Sequence, residues 1–571
     1  MRYKILTILC LAFILWFTIQ PVEMNWTMAD IRLTEAVCVV TVLAVLMLVC
    51  RKQQMVLSAV DVMAFLWFVY VILLAYVSPV YPCADFCLRA MQMFSLYIAA
   101  RLLFSSVTIT EHVIVIGILL CAGYEVMVGV GQLWNGNSRH YLYALSGTFL
   151  NPGPYSAFLA MGIVMSCKLR KGYWLPMLFA ILLPATWSRA ALVSATICIG
   201  IIFWEKWKRW KWQVAFVIFV ITIGLYFAKK GSADGRSIIY MISLLCICQA
   251  PVFGSGIGSF CHQYAEGMAN FSSLHPAFNF QSADVTSNAY NIMLQIGVEQ
   301  GLIGICLAVT LVVMMFIYLN KNGKTLATGL LCLMIFSMFS YPFEQLPYQI
   351  IFILMAAYAA TGEVKVTTST KWNKLFRNYL VPVVLSNCVI LFTAFNYRQI
   401  KERARAESDY RMMAGVSHPT FIDDYYELLP LMASNEHFLF DFAKMLTIDG
   451  RYNDSNAILR LGTLVSNDPM FYVIQGNNYN EMGFCQEAEQ AYMKAFNSMP
   501  NRLYPLYRLM HFYEKSGETK KMCYMAQRVI VFNEKVNSPA TREMRKEAVE
   551  LMRKAKGFSK ANYYNNINKR H

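Results

Sequence analysis

Residues 36–52 read AVCVVTVLAVLMLVCRK, an uncharged and largely apolar run followed directly by Arg51 and Lys52. Such a run is typical of a helix that crosses a bilayer, because lipid tails accept apolar side chains while basic groups collect at the cytoplasmic surface. The whole chain has this character, since 57% of its 571 residues are hydrophobic and only 15% are charged. This composition excludes an ordinary soluble domain.

Similar apolar runs recur through residues 1–395 and predict about 13 transmembrane helices. The runs lie near 5–19, 36–50, 60–77, 88–104, 112–131, 154–167, 174–186, 190–204, 213–228, 302–319, 326–340, 348–360 and 379–395. Several are shorter than the ~20 residues that a full span needs, so the runs do not define where each helix begins and ends. No small-residue cleavage site follows the first run, so we interpret it as an uncleaved helix.

Basic clusters between the runs predict the orientation. The clusters are Arg2/Lys4, Arg51/Lys52, Lys168/Arg170/Lys171, Lys206/Lys208/Arg209/Lys211, Lys321/Lys324 and Lys371/Lys374/Arg377. All fall on one side if each run crosses once, and the positive-inside rule makes that side cytoplasmic. The net charge of +16 therefore reflects topology rather than nucleic-acid binding. We expect an inner-membrane protein with a large periplasmic loop at 229–301 and a periplasmic domain at 396–571.

A repeat of tetratricopeptide length marks this C-terminal domain. Gly450, Gly483 and Gly517 stand 33 and 34 residues apart, and small Gly476 and Ala488 lie where paired helices approach. The pattern predicts a tetratricopeptide-like α-solenoid. Stacked helix pairs form concave surfaces, so we expect the domain to dock a protein partner or act in assembly, the alternative being a purely structural cap.

Four polar stretches lie at the outer ends of the predicted helices, where polar groups are costly and therefore candidates for chemistry. They are 146–154 (SGTFLNPGP), 186–189 (TWSR), 232–236 (SADGR) followed by 254–260 (GSGIGSF), and 288–291 (NAYN) followed by 294–304 (LQIGVEQGLIG). No strand precedes the glycines at 254–258, so we interpret them as a closely packed loop rather than a nucleotide-binding motif.

In this order the stretches resemble the O-antigen ligase and polymerase superfamily. Its hallmarks are a Gly-Thr-x-x-Asn-Pro turn, a Ser-Arg turn, an arginine that opens a large periplasmic loop, a Gly-x-Gly-x-Phe segment and an Asn-x-x-Leu-Gln…Glu-x-Gly-Leu-x-Gly stretch. The match spans about 147–304, and 340–343 (SYPF) is a weaker continuation. The fused repeat domain resembles a branch seen in Bacteroidetes-type bacteria.

The resemblance implies an all-α, GT-C-like glycosyltransferase without a cofactor or metal. It would transfer a glycan from an undecaprenyl-pyrophosphate carrier to an acceptor hydroxyl on lipid A core, on a growing polysaccharide or on a protein. Arg236 and Arg189 match the family's arginines, and their planar guanidinium groups suit the oxygens of a departing pyrophosphate. The alternative for each is an arginine that only reaches from the lipid to the interface.

The general base stays open, because many ligases carry His where this chain has Tyr290, and a phenol with a pKa near 10 is a poor base at neutral pH. The candidates for this role are Glu299, Asp284, His275 and His262. The predicted substrate-binding residues are Asn151, Asn291, Tyr290, Asp284 and Lys230.

Two other classes of function compete with glycan transfer. A transporter or lipid flippase would also have many helices, but transporters often carry an internal repeat, and none is found in the membrane part. A sensor that used only the C-terminal repeats would leave the arginine-bearing stretches unexplained. We therefore expect lipid-linked glycan, acceptor and membrane lipids as the partners.

Overall fold

The computed structural model is helical throughout and has no strand among the residues that it describes. These are 2–23, 26–53, 55–77, 83–169, 174–207, 230–362, 380–415, 418–535 and 538–556, with single residues at 209, 213 and 224. The helices in chain order are α1 (Arg2–Trp16), α2 (Met28–Arg51), α3 (Ala59–Val77), α4 (Cys83–Ser106), α5 (Glu111–Asn135), α6 (Pro152–Leu169), α7 (Trp174–Ala180), α8 (Arg189–Ile202), α9 (Trp204–Trp207), α10 (Lys230–Gln249), α11 (Phe260–Leu274), α12 (Ile292–Asn322), α13 (Lys324–Ser337), α14 (Leu346–Ala360), α15 (Val381–Met413), α16 (Ile422–Met432), α17 (Glu436–Ile448), α18 (Tyr452–Val465), α19 (Met470–Glu481), α20 (Cys485–Ser498), α21 (Leu503–Lys515), α22 (Thr519–Val531) and α23 (Pro539–Lys556).

Eight helices within these residues are long and apolar enough to cross a membrane, and four shorter apolar helices accompany them. The predicted runs fall on helices, except that 213–228 lies outside the described residues apart from 213 and 224. The structure adds α10, which lies within residues 229–301, where the sequence predicted a large loop. Its segment Gly231–Gln249 is one of the eight, although Asp234 and Arg236 lower its hydropathy. The number of crossings stays a prediction.

Helix α6 lies at the centre of the membrane part, because its residues from Pro152 to Ser166 are nearly all buried. It packs against α5, α7, α8 and α13. A helix that is apolar on all sides is stable only when protein or lipid surrounds it. The Asn-Pro turn therefore opens a helix that neighbouring helices enclose.

One buried ion pair joins α3 to α4. The Arg101 Nε atom lies 3.0 Å from the Asp61 Oδ1 atom, and both side chains are almost fully buried. Tyr97 donates a hydrogen bond of 2.7 Å to the same carboxylate. These partners satisfy charges that would otherwise be costly in an apolar bundle.

The C-terminal part consists of successive helix pairs, α17 with α18, α19 with α20, and α21 with α22. The turns inside the pairs fall at the three glycines that the period singled out, with φ of 79° at Gly450, 78° at Gly483 and 71° at Gly517. A left-handed turn residue of this kind favours glycine.

Helix α15 joins the two parts without a break. The predicted boundary between 395 and 396 lies inside this 33-residue helix. The change from apolar to charged composition marks a change of surroundings, and it does not interrupt the backbone. Beyond it, Arg403 forms an ion pair with Asp85 at the start of α4.

Candidate functional site

Two buried side chains of α5 hold the Asn-Pro turn. The Gln132 Oε1 atom accepts hydrogen bonds from the backbone N–H groups of Ser146 (2.9 Å) and Gly147 (2.8 Å). The Thr148 hydroxyl donates to Glu125 Oε1 at 2.6 Å, and its N–H donates to Oε2 at 3.1 Å. The sequence analysis missed Glu125 and Gln132, although a carboxylate inside an apolar helix was a usable signal.

The glycine-rich loop encloses Glu299. Gly256 donates a backbone hydrogen bond of 3.0 Å to the Glu299 carbonyl. The backbone N–H groups of Gly258 and Phe260 bond to the Glu299 carboxylate, and Gln295 Nε2 donates to Oε1 at 2.8 Å. These hydrogen bonds occupy the Glu299 carboxylate, so its geometry suits a residue that holds the glycine-rich loop in place. The proposal that Glu299 is a catalytic base stays a prediction.

A close backbone crossing explains two of the glycines. Gly301 interrupts α12 with a φ of 66°, and a Cβ there would lie 2.3 Å from the Val252 carbonyl oxygen. A Cβ on Gly254 would lie 2.5 Å from the Gln300 nitrogen. No side chain therefore fits at Gly254 or at Gly301, where the two backbone segments cross.

Tyr290 has a left-handed backbone with a φ of 51°, which is uncommon for a bulky residue and clusters at functional sites. Its carbonyl accepts a 3.3 Å hydrogen bond from the Tyr240 hydroxyl. Next to it, Asn291 Oδ1 caps α12 by accepting from the N–H groups of Met293 (2.9 Å) and Leu294 (3.3 Å). The predicted substrate residue Asn291 thus has a capping role in this structure.

Arg236 projects from α10 towards Tyr290. Its guanidinium carbon lies 5.0 Å from the centre of the Tyr290 ring, and Nη1 donates to the Phe339 carbonyl at 2.7 Å. The Tyr290 and Tyr341 rings meet edge to face at 5.4 Å, and the Asn151 side chain hydrogen-bonds to Tyr341. Four stretches that are distant in sequence therefore meet around Tyr290 and Tyr341.

Arg189 lies beside Arg236. Its Nη2 atom donates to the Ser232 hydroxyl at 3.1 Å, and the two guanidinium groups are close enough to repel each other. Each side chain is partly exposed. An anion between them would relieve this repulsion, because charge-assisted hydrogen bonds to arginine are among the strongest.

Glu344 completes the cluster and was not among the predicted residues. Its Oε2 atom accepts a 3.2 Å hydrogen bond from Asn288 Nδ2. The surrounding protein partly desolvates the carboxyl, and this desolvation, followed by the negative charge of Glu299, raises the pKa of Glu344 to about 8. The side chain nevertheless reaches solvent. The sequence motif at 340–343 ended one residue short of it.

Desolvation also raises the pKa of Tyr290 above its usual value, despite the opposing effect of Arg236. A phenol with a raised pKa is a still poorer base at neutral pH. The charged and polar groups at this site are therefore two arginines, two neutral phenols, two amides from Asn151 and Asn288, and one carboxyl with a pKa within reach of neutral pH.

Residues 175–309 match the O-antigen ligase family model. The matched segment contains Arg189, Arg236 and Tyr290, whereas Asn151 and Glu344 lie outside it on either side. No curated protein matches the chain. The match supports the predicted superfamily and a glycan-transfer role of the ligase or polymerase kind, and together with the apolar helices it indicates a multi-pass membrane protein.

Three other predicted residues of the matched segment form their contacts outside the cluster around Tyr290 and Tyr341. His275 is exposed and stacks on Phe271 at 4.4 Å. His262 Nδ1 lies 2.9 Å from the Thr463 carbonyl. Asp284 pairs with Lys535 at 2.8 Å and with Arg502 at 3.4 Å. These contacts connect His262 and Asp284 to the C-terminal helices.

Lys230 begins α10, but its side chain lies outside the described residues. Within the ranges that the structure describes, no group of three His, Cys, Asp or Glu side chains could hold a metal ion. Among the described side chains, the guanidinium groups of Arg236 and Arg189 carry positive charge near Tyr290.

Proposed function

We propose that this protein transfers a glycan from an undecaprenyl-pyrophosphate-linked donor to an acceptor hydroxyl at the periplasmic face of the bacterial inner membrane. The observation that carries the proposal is the meeting of Arg236, Tyr290, Tyr341 and Glu344 at one partly exposed cluster. The match of residues 175–309 to the O-antigen ligase family supports the reaction class.

The arginines bind the departing group in this proposal. Cleavage of the bond between the sugar and the pyrophosphate leaves its electron pair on a phosphate oxygen, so negative charge grows there. Arg236 is held by the Phe339 carbonyl and the Tyr290 ring, and Arg189 stands beside it. A fixed cationic pair stabilises such charge without reorganisation, which is how preorganised sites lower a barrier.

Glu344 is the proposed general base. The acceptor hydroxyl forms its bond to the anomeric carbon while its proton passes to the Glu344 carboxylate. The Glu344 side chain is exposed to solvent, so an acceptor can reach it. Its pKa of about 8 makes the carboxylate a stronger base than an ordinary glutamate. Asn288 orients the carboxylate through its hydrogen bond.

Ligation to lipid A core is the first choice for the acceptor, with polymerisation of a surface polysaccharide or transfer to protein Ser and Thr as the alternatives. Analysis of glycans in a deletion strain tests all three. We expect loss of polymer from lipid A for a ligase, loss of chain length for a polymerase and loss of glycoprotein for a protein transferase. Lipid-linked glycan that stays at the cytoplasmic face would instead identify a flippase.

Glycan transfer should continue without a divalent cation, because Arg236 and Arg189 supply the positive charge that meets the leaving pyrophosphate. We expect purified protein to retain its transfer rate in excess EDTA. The control is a second EDTA reaction to which Mg²⁺ is restored. A rate that collapses in EDTA and recovers with Mg²⁺ would contradict this expectation.

The C-terminal region is proposed to be a periplasmic, tetratricopeptide-like domain. Asn467 and Asn501 of its inter-helix connections hydrogen-bond to segment 281–286, which supports a location of both on the same side of the membrane. The distribution of the basic clusters supports the outer side. A reporter that is active only in the periplasm, fused after His571, should therefore be active. Activity of a cytoplasmic reporter at that position would show that the predicted helix count is wrong by one.

A further inference from the structure

Two asparagines occupy equivalent positions in successive C-terminal helix pairs. Asn467 precedes α19 and Asn501 precedes α21, and they are 34 residues apart, which is the period of the repeat. Their exposed fractions are only 4% and 5%. Buried amides are costly unless they are hydrogen-bonded, so their partners indicate what they do.

Both asparagines bind the backbone of segment 281–289, which precedes the cap of α12. Asn467 Nδ2 donates to the Thr286 carbonyl at 2.8 Å, and Asn467 Oδ1 accepts from the Thr286 N–H at 3.3 Å. Asn501 Nδ2 donates to the carbonyls of Ala283 (2.6 Å) and Gln281 (3.2 Å). The side-chain amides thus replace the partners that a helix or strand would provide.

Apolar and charged contacts support the same segment. Met499, two residues before Asn501, is fully buried in a cluster with Phe280 and Ala289, against which Tyr290 packs. Asp284 forms its ion pairs with Lys535 and Arg502 of the C-terminal region. Three kinds of contact, hydrogen bonds, apolar packing and ion pairs, therefore converge on these nine residues.

The segment has no helix or strand of its own. Such a segment keeps one conformation only if outside partners satisfy its backbone. It contains Asn288, which hydrogen-bonds to Glu344, and it leads directly into Tyr290, which packs against Arg236. A displacement of the segment would move both.

We propose that Asn467 and Asn501 are positioning residues, which make the C-terminal domain an internal clamp on segment 281–289 of the active site. This assignment rests on the proposed function. It gives the repeats a role within the chain, where the sequence analysis expected the docking of a separate partner. It also assigns Asp284 to the clamp rather than to substrate or base.

The first test compares the full-length double variant Asn467→Ala/Asn501→Ala with the control Asn453→Ala, an exposed position in α18. Amide hydrogen exchange of peptides covering 281–289 is the readout that does not depend on activity. We expect exchange there to accelerate about 10-fold or more, while peptides from α21 stay as in wild type. Glycan transfer in a complemented deletion strain should fall by about 10-fold or more, and the control should transfer normally.

Unchanged exchange in 281–289, or transfer equal to that of the control, would overturn the clamp. If the wild-type protein transfers no glycan, the proposed function fails, while the exchange measurement still decides whether the clamp exists.

A charge exchange separates positioning from chemistry at Asp284. Asp284→Lys should lower transfer, and adding Lys535→Asp and Arg502→Asp should restore it, because the ion pairs are re-formed with opposite signs. An inactive triple variant that folds and exchanges like wild type would return Asp284 to a direct role with substrate and remove it from the clamp.

Discussion

Replacing Arg236 by lysine is expected to lower glycan transfer on the order of 100-fold, nearly as much as replacing it by alanine. Lysine keeps one positive charge but cannot offer a planar fork to two phosphate oxygens. It also cannot keep the 2.7 Å bond to the Phe339 carbonyl and the stacking on Tyr290 while reaching the donor. An arginine that only anchors α10 at the interface would give the opposite result, because lysine reaches the interface equally well.

The measurement is glycan transfer in a complemented deletion strain, with protein amounts compared by blot. Arg398→Lys is a matched control, since Arg398 is exposed and its ion pair with Glu402 is an ordinary pair within α15. It should transfer like wild type. Normal transfer by a well-expressed Arg236→Ala variant would remove Arg236 from the mechanism, and normal transfer by the lysine variant would reduce its role to charge alone.

The sequence could predict those parts of this molecule that depend on local patterns. Apolar runs such as 112–131 identified helices because hydropathy acts over one segment at a time. The glycine at 483 identified a turn because a left-handed residue favours glycine. The arginines at 189 and 236 were found because charge is rare and costly beside lipid. Each inference needed only residues that are near one another in the chain.

The assembly of the site could not be predicted in this way. The contact between Tyr290 and Tyr341 joins residues about fifty positions apart, and nothing in either motif specifies the other. The ion pairs of Asp284 could not be predicted because its partners Lys535 and Arg502 come from the far end of the chain. The predicted domain boundary between 395 and 396 lies inside α15, because a change from apolar to charged residues does not by itself end a helix.

Helix packing likewise decides which buried carboxylates are available for chemistry. Glu299 belonged to a recognisable motif, yet the loop at 256–260 occupies its carboxylate. Glu344 belonged to no complete motif, yet it faces solvent beside Asn288. Membership of a sequence motif favours Glu299 as the general base, whereas access to solvent favours Glu344. Substitution of each residue distinguishes the two assignments.

Glu344→Gln is expected to reduce glycan transfer by roughly 10²- to 10⁴-fold, the usual contribution of a general base. Wild-type transfer should rise with pH and level off above about pH 8, because the acid form below the pKa of Glu344 cannot accept a proton. Glu299→Gln should retain much of the activity and move this profile to lower pH, since the charge of Glu299 helps to raise the pKa of Glu344. Both variants replace a carboxylate by an amide of similar size, so each is the control for the other, and thermal melting of both checks folding. A dead Glu299→Gln protein beside an active Glu344→Gln protein would make the base Glu299, one of the four candidates from the sequence.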